Sequence, residues 1–301
     1  MEFFKVNTRI QFMRQRKGAM IFSIIIIALS LFSLGFYGLN LGLDFTGGTK
    51  IEVAFPHSVN ANDLRDQLHL NGFPQAVVQA YDVRNYVIRI GPDKKDLHTK
   101  IIALFPDVKI QEISMIGPQV SKELMTHGVL AIVVALLATI VYIALRFEFR
   151  FALSAALALL HDPILILGVF SFFHLEFDLI VLAALLTVIG YSLNDTIVVY
   201  DRVRENFLKL RKGTPMEVMD LSINQTLSRT IMTSGLTLLV VCALIIYGGS
   251  TLFGFSLALI IGIVIGTYSS IYVAGSLAIS FGLERKHLMA GPSRRYEDDL
   301  P

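Results

Sequence analysis

Six apolar runs, each long enough to cross a bilayer as a helix, constrain this chain more than any other feature. A hydrocarbon core of ~30 Å needs ~20 apolar residues per helix. Runs of that order occupy residues 19–39, 127–145, 151–173, 179–200, 231–248 and 252–281. Only 17% of the residues are charged, whereas a soluble domain carries about 25%. The sequence therefore predicts an α-helical polytopic membrane protein with six transmembrane helices.

Lysine and arginine are distributed unevenly along the chain, and this distribution predicts its orientation. Of the 26 basic residues, 17 lie in segments that six spans would place on one side of the membrane. The other nine lie in the long segment 40–126, and long segments translocate largely regardless of charge. We therefore expect cytoplasmic residues at 1–18 and 282–301, a first span at 19–39, an outer segment at 40–126, and a bundle of five spans at 127–281.

The outer segment, 40–126, alternates between strand-like and helix-like patterns. The predicted elements, in chain order, are a strand at 50–55, a helix at 60–70, strands at 76–81 and 86–90 around a turn at 82–85, a helix at 95–104 and a strand at 108–115. This β-α-β-β-α-β order is the ferredoxin-like split βαβ arrangement. The sequence thus predicts a small α+β periplasmic domain, which we interpret as a binding or docking module.

A glycine-rich segment, defined here as residues 42–49, links the first span to the predicted sheet. Its distinctive positions are Gly42, Asp44, Phe45, Gly47 and Gly48. Glycine permits positive φ values or a close approach of two backbones. The segment lacks the lysine of a phosphate-binding loop, and a strand rather than a helix follows it. We therefore predict a tight turn where the first span leaves the membrane.

Ionisable residues within the apolar runs are the candidate functional groups. Asp162 lies between His161 and Pro163 near the middle of the third run, and Asp195 lies in the fourth. The fifth run is short unless it begins near Arg229, which would then open it. An unpaired charge at the bilayer centre costs ~2.5–3.5 kcal/mol on insertion scales, so each must face protein or water. We expect Asp195 and Arg229 to pair, either as a proton relay or as a static ion pair that fixes helix register. Asp162 is a second relay candidate, although His161 or a neighbouring backbone group can satisfy it.

Two further patterns concern the ends and faces of the spans. Gly262 and Gly266 have the spacing of a close-packing helix face in the sixth run. Asp201 and Arg202 follow the fourth run directly, and we interpret them as interfacial charges that set its orientation.

Taken together, these residues resemble the SecF branch of the SecD/SecF family, in the RND-type transporter superfamily. The residues that carry the resemblance are 42–49, His161-Asp162 and 192–206, the last of which includes Asn194, Asp195, Asp201 and Arg202. It covers essentially the whole chain, as one span, an outer domain and five further spans. Pro163 departs from the family pattern, in which an aliphatic residue is expected after His-Asp.

The resemblance implies a non-enzymatic subunit of the bacterial Sec export machinery that lies in the inner membrane. With SecD, such a subunit uses the proton-motive force to promote late steps of protein translocation. The implied partners are SecD, the SecYEG translocon with its SecA motor, YajC, YidC and the translocating polypeptide. Protons are the implied coupling ion, with no other cofactor. Asp195 and Arg229 match the family's acidic and arginine residues that are tied to proton conduction.

Two alternative functions stay open. An RND-like exporter of small molecules or lipids would need a substrate pocket, for which the outer segment is small. A scaffold that only holds translocon parts together predicts that Asp195 and Arg229 can be replaced together without consequence. An intramembrane protease is disfavoured because neither Asp162 nor Asp195 follows Gly-x-Gly. The net charge of +2 does not suggest nucleic acid as a partner.

Overall fold

A computed structural model describes residues 10–74, 76–80, 82–91, 102–210 and 213–283. These residues fall into two compact units. The helical unit comprises the chain up to Leu39, Val133–Leu175 and the chain from Ala183 onward, and the sheet unit comprises Asn40–Ile132 and Glu176–Leu182.

The chain forms one long helix, then a small domain of strands and short helices, and then a series of long helices. In chain order they are a 3₁₀ turn at Phe12–Gln15, α1 (Arg16–Phe36), β1 (Asn40–Leu41), α2 (Leu43–Thr46), β2 (Gly48–Ala54), α3 (Ala61–Leu70), β3 (Val77–Ala80), β4 (Asn85–Ile90), β5 (Lys109–Ile116), α4 (Pro118–Arg146), α5 (Phe149–Phe172), β6 (Glu176–Phe177), α6 (Leu179–Lys209), α7 (Pro215–Tyr247), α8 (Gly249–Tyr268), a π-helical turn at Ser269–Ala274 and α9 (Gly275–Ser280).

Six helices in the described part of the chain are long and apolar enough to cross a membrane, which confirms the predicted number of spans. Several of these helices extend well beyond the apolar run. Helix α7 begins at Pro215, not near residue 231, because Thr214 and Glu217 form a capping box at its start. In that box the Thr214 N–H donates to Glu217 Oε2 at 2.9 Å. Pro215 suits the first helical position because the N–H that proline lacks would have no partner within the helix there.

Helix α1 shows how the helical unit is packed. Its buried residues are Ser23, Ser30 and Ser33, whereas most of its large apolar side chains are exposed. Ser33 donates a 2.9 Å hydrogen bond to Ser171 of α5. A Cβ at Gly168 would lie 2.3 Å from Ser30 Cβ, so α1 and α5 approach closely. Small and polar residues inside with apolar residues outside is the pattern expected of helices that pack within lipid.

The sheet unit contains one four-stranded antiparallel sheet with the order β3-β4-β2-β5. This is the strand order that the split βαβ arrangement requires. Helix α3, whose first turn Asn60 caps by accepting from the Asn62 N–H, covers the sheet through Leu64 and Leu68. Most of the predicted helix 95–104 lies outside the described residues, so the complete ferredoxin-like order stays a prediction.

Candidate functional site

Asp162 lies at the centre of a polar cluster that joins three helices. Its side chain is 1% exposed, and its Oδ1 lies 2.8 Å from His161 Nδ1. The hydroxyl of Ser192, on α6, and that of Ser269, at the start of the π-helical turn, both donate to Asp162 Oδ2, the latter at 2.8 Å. The partnership with His161 was foreseen, whereas no local pattern marks the two serines as partners.

A second polar layer lies further along the same three helices. The hydroxyl of Tyr200 on α6, which is fully buried, donates to the Ala274 carbonyl at 2.9 Å and lies 2.7 Å from Ser154 Oγ on α5. Along both α5 and α6, eight residues separate the two layers, which is ~12 Å of helix. The π-helical turn lies between them, and such turns are frequent at functional sites. The spacing of eight is the one sequence signal that could have found Ser154 and Tyr200.

Asp195 has a different environment. Its side chain is buried, yet its Oδ2 has no hydrogen-bond partner among the described residues. Arg229 is near enough to act on it electrostatically, but the two form no ion pair within 4.0 Å in the described part of the chain. The expected contact pair is therefore absent from this conformation.

The rotation of α7 explains why Arg229 does not reach Asp195. The buried positions of α7 include Thr226, Leu227, Thr230 and Ser234, which recur at helical spacing, whereas Arg229 is exposed. This face meets α6 and α8 through hydroxyl groups: Tyr191 of α6 donates to Ser234 Oγ at 3.3 Å, and Ser234 Oγ lies 3.0 Å from Thr267 Oγ1 of α8.

Helix α8 packs closely against the face of α6 that carries Ser192. A Cβ at Gly262 would lie 2.2 Å from Val188 Cγ2, and one at Gly266 would lie 3.0 Å from Ser192 Cβ. The predicted close-packing face at Gly262 and Gly266 is therefore confirmed, and it brings α8 next to Ser192, the residue that bonds Asp162.

The remaining motif residues of α6 lie at its surface. Asp201 forms a 2.6 Å ion pair with Arg146, and Arg202 forms a 2.7 Å pair with Glu205. Asn194 is exposed. Ion pairs this exposed contribute little stability, so the role of Asp201 and Arg202 in orientation stays a prediction.

The glycine-rich segment 42–49 forms the predicted tight turn. Gly47 and Gly48 have φ values of +69° and +123°, and a Cβ at Gly48 would lie 2.4 Å from the Ile90 carbonyl oxygen. Gly42 caps the single turn of α2, where Thr46 Oγ1 donates back to its carbonyl at 3.0 Å. Positive φ and close backbone approach thus explain why glycine occupies positions 47 and 48.

This turn also holds the start of α6, which was not predicted. Strand β1 pairs in parallel with β6, and the Gly42 N–H donates to the Phe177 carbonyl at 2.8 Å. Asp44 Oδ2 accepts from the Leu179 N–H at 2.8 Å, across 135 residues of sequence. The Phe45 ring stacks on that of Phe177 with centroids 5.9 Å apart.

Two charged groups of the sheet unit lie near this connection, and both have raised pKa values. Burial raises the pKa of Asp178, and the charges of Glu176 and Asp44 act in the same direction. Burial acts to lower the pKa of Lys50, but the hydrogen bond and charge of Glu52, with other nearby carboxylates, raise it above its ordinary value. Carboxyl groups are therefore concentrated at the N-terminal end of α6.

Comparison with family models identifies the two parts of the chain separately. Residues 96–284 match the model described as protein export membrane protein SecD/SecF, C-terminal. Residues 32–55 match the SecD/SecF GG motif, and this range includes the whole glycine-rich segment.

Relatives match over nearly their full length. The chain is 50% identical over 295 residues to the protein translocase subunit SecF of Vibrio alginolyticus, covering 95% of this chain and 94% of the relative. It is 42% identical to the SecF subunit of Pseudomonas aeruginosa, with 99% of each chain covered.

A solved structure shows the same fold. The crystal structure of SecDF, a translocon-associated membrane protein from Thermus thermophilus, matches with a TM-score of 0.87 and 37% identity over 92% of this chain. The match spans 39% of that longer protein. A SecDF structure in the super-membrane-facing form matches with a TM-score of 0.70, and it is 36% identical over 95% of this chain.

Proposed function

Since this chain belongs to the SecD/SecF family of protein-export membrane proteins, we propose that it uses the proton-motive force, together with SecD, to promote late steps of protein translocation. It is a multi-pass membrane protein and a protein-translocase subunit by family. The proposed site of action is the bacterial inner membrane, with both termini cytoplasmic. The proposed partners beyond SecD are SecYEG with SecA, YajC, YidC and the polypeptide in transit.

The observation that carries this proposal is the incomplete environment of Asp195. A buried carboxylate without a partner is costly, and a charge within the membrane is costlier still. The geometry around Asp195 Oδ2 therefore favours a bound proton while Arg229 stays out of contact. When the proton leaves, the negative charge attracts Arg229, and α6 and α7 must move to bring the two groups together.

Asp162 is a second group that can take up a proton in this proposal. Its Oδ2 accepts from both Ser192 and Ser269, and a proton on that oxygen would turn an acceptor into a donor. At least one of the two serine bonds must then change, because a serine hydroxyl that donates to Oδ2 has to turn and accept from it instead. Ser192 and Asp195 lie three residues apart on α6, which places them on one face of the helix. The two carboxyl groups are thus connected through a single helical turn.

The available energy is sufficient for such a change. Each proton that crosses the membrane potential supplies ~2.3 kcal/mol per 100 mV. A bistable helix packing needs only a few kcal/mol to change its preferred state. One or two protons per cycle therefore suffice to shift α6 against α7.

The test is proton uptake by vesicles that contain the chain with its SecD partner and a translocating polypeptide. Asp195→Asn should abolish both the polypeptide-dependent uptake and the proton-driven export. Glu205→Gln is the matched control: it also neutralises a carboxylate on α6, but one in exposed ion pairs, and it should leave both rates unchanged. Uptake that persists in the Asp195→Asn protein would contradict the proposal.

A further inference from the structure

We propose that Asp44 is a positioning residue that fastens the outer end of α6 to the sheet unit, so that α6 itself transmits motion to the outer domain. The fastening is a statement about structure alone. The transmission rests on the proposed function, because it takes the displacement of α6 at Asp195 as the motion to be transmitted.

The division of the chain into units supports α6 as the transmitting element. Helix α1 ends within the helical unit, whereas Leu179–Leu182 of α6 belong to the sheet unit and the rest of α6 belongs to the helical unit. Helix α4 also belongs to both units, but its apolar run holds no aspartate or glutamate. Asp195 lies 13 residues beyond Leu182, a distance of ~20 Å along a rigid helix. Among the described helices, α6 therefore joins an intramembrane carboxyl group to the sheet unit without a break.

Asp44 supplies the bond between the glycine-rich segment and that helix end. The first N–H groups of a helix have no partner within the helix, and Asp44 Oδ2 accepts one of them, from Leu179, at 2.8 Å. A carboxylate is also favoured there by the helix dipole. Because Asp44 is 135 residues away in sequence, this cap is a tertiary connection and not a local one.

The contacts around Asp44 also connect the glycine-rich segment to the start of α6. A Cβ at Gly42 would lie 2.8 Å from Asp178 Cβ, so the turn approaches the helix end closely. On the other side, Arg89 of β4 forms a 3.2 Å ion pair with Glu176 and donates to the Leu41 carbonyl at 3.2 Å. The sheet, the glycine-rich segment and the start of α6 are thus connected within the sheet unit.

The chain offers a matched control at the same helix end. Asp178 Oδ1 accepts from the Val181 N–H at 2.8 Å, which is an ordinary cap from within the local sequence. Asp178→Ala and Asp44→Ala each remove one carboxylate–amide bond from α6. Only the loss of Asp44 also disconnects the glycine-rich segment from the helix.

The structural test is amide hydrogen exchange of the purified full chain with its SecD partner. Asp44→Ala should raise exchange about fivefold at Leu179 and also at Leu41 and Gly42, whereas Asp178→Ala should raise it at Val181 alone. Asp44→Asn should restore protection, since asparagine caps helices about as well as aspartate. Equal exchange patterns in the two alanine variants would overturn the fastening, whatever the fate of the proposed function.

The functional test uses vesicles with a translocating polypeptide. Asp44→Ala should lower export about fivefold while the Asp195-dependent proton uptake persists, and Asp44→Asn should recover most of the export. An equal loss in the Asp178→Ala protein would overturn the transmission, since fraying of the helix end would then explain it. Wild-type vesicles without Asp195-dependent uptake would refute both the proposed function and the transmission, while the exchange data would still decide the fastening.

Discussion

The two buried aspartates of the helical unit differ in how completely they are bonded. Asp162 has partners at both oxygens, drawn from three helices, whereas Asp195 has an oxygen without a partner in the described part of the chain. A fully bonded buried group holds its surroundings in place, while an incompletely bonded one is costly unless its protonation or its contacts change. The comparison shows that Asp162 connects three helices, and it supports the proposal that Asp195 is the group that gains and loses a proton.

The largest effect is expected from replacing Asp195 and Arg229 together by leucine. This removes both charges and avoids leaving one of them unpaired, so the complex with SecD should still assemble. Proton-driven export should be lost, because the carboxyl group whose proton exchange is proposed to move α6 against α7 is gone. Co-purification with SecD and export into vesicles are the two measurements, and export at the wild-type rate would establish the scaffold function instead.

Single alanine substitutions at the two aspartates should destabilise the protein to different extents. Asp162→Ala leaves His161 and two serine hydroxyls without their acceptor and should lower the free energy of unfolding by about 2–4 kcal/mol. Asp195→Ala should change it by less than about 1 kcal/mol. Thermal unfolding in detergent, with Asp162→Asn as a variant that keeps an acceptor, gives the comparison. Equal destabilisation of the two alanine variants would contradict the claim that Asp162 contributes more to stability than Asp195.

A finer test concerns the hydroxyl at the start of the π-helical turn. Ser269 donates to Asp162, whereas its neighbour Ser270 is equally buried and, among the described residues, donates only to the Thr267 carbonyl of its own helix. Ser269→Ala should therefore cost about 1 kcal/mol and Ser270→Ala close to none. The difference in melting temperature between these two variants checks the claim, and a reversed order would show that Ser269 does not hold Asp162.

The smallest effect is a pH dependence of stability at the N-terminal end of α6. The raised pKa of Asp178, caused first by burial, means that the folded chain binds this proton more tightly than the unfolded chain does. Its stabilising contribution is complete below the ordinary pKa of about 3.9 and is lost as the pH rises through the raised value. The Asp178→Asn protein should therefore gain melting temperature relative to wild type as the pH rises above about 4. A relative loss over that range would mean that the bond from Val181 outweighs burial.

Local patterns in the sequence predicted the parts of the fold that depend on local physics. Apolar length predicts the six spans, the helix-like pattern at 60–70 predicts α3, and glycine spacing predicts the turn at Gly47 and Gly48 and the close packing at Gly262. Each of these predictions rests on a pattern among residues that are near one another in the chain.

The missed features depend on residues that the fold brings together from distant positions. Ser192 and Ser269 reach Asp162 from two other helices, and Asp44 caps a helix that begins 135 residues later. The pairing of Asp195 with Arg229 was expected from opposite charge and from the family resemblance. Charge does not determine helix rotation, and the buried positions of α7 place Thr230 and Ser234 inward while Arg229 faces outward.

The central claim is that Asp195 gains and loses a proton, and infrared spectroscopy tests it most directly. The measurement follows the carbonyl band of protonated carboxyl groups in the purified complex with SecD as the pH is raised, with Asp195→Asn identifying the contribution of this residue. The account predicts a band that is present at low pH, disappears as the pH rises and is missing from the Asp195→Asn protein. A wild-type spectrum that the substitution leaves unchanged at every pH would contradict it.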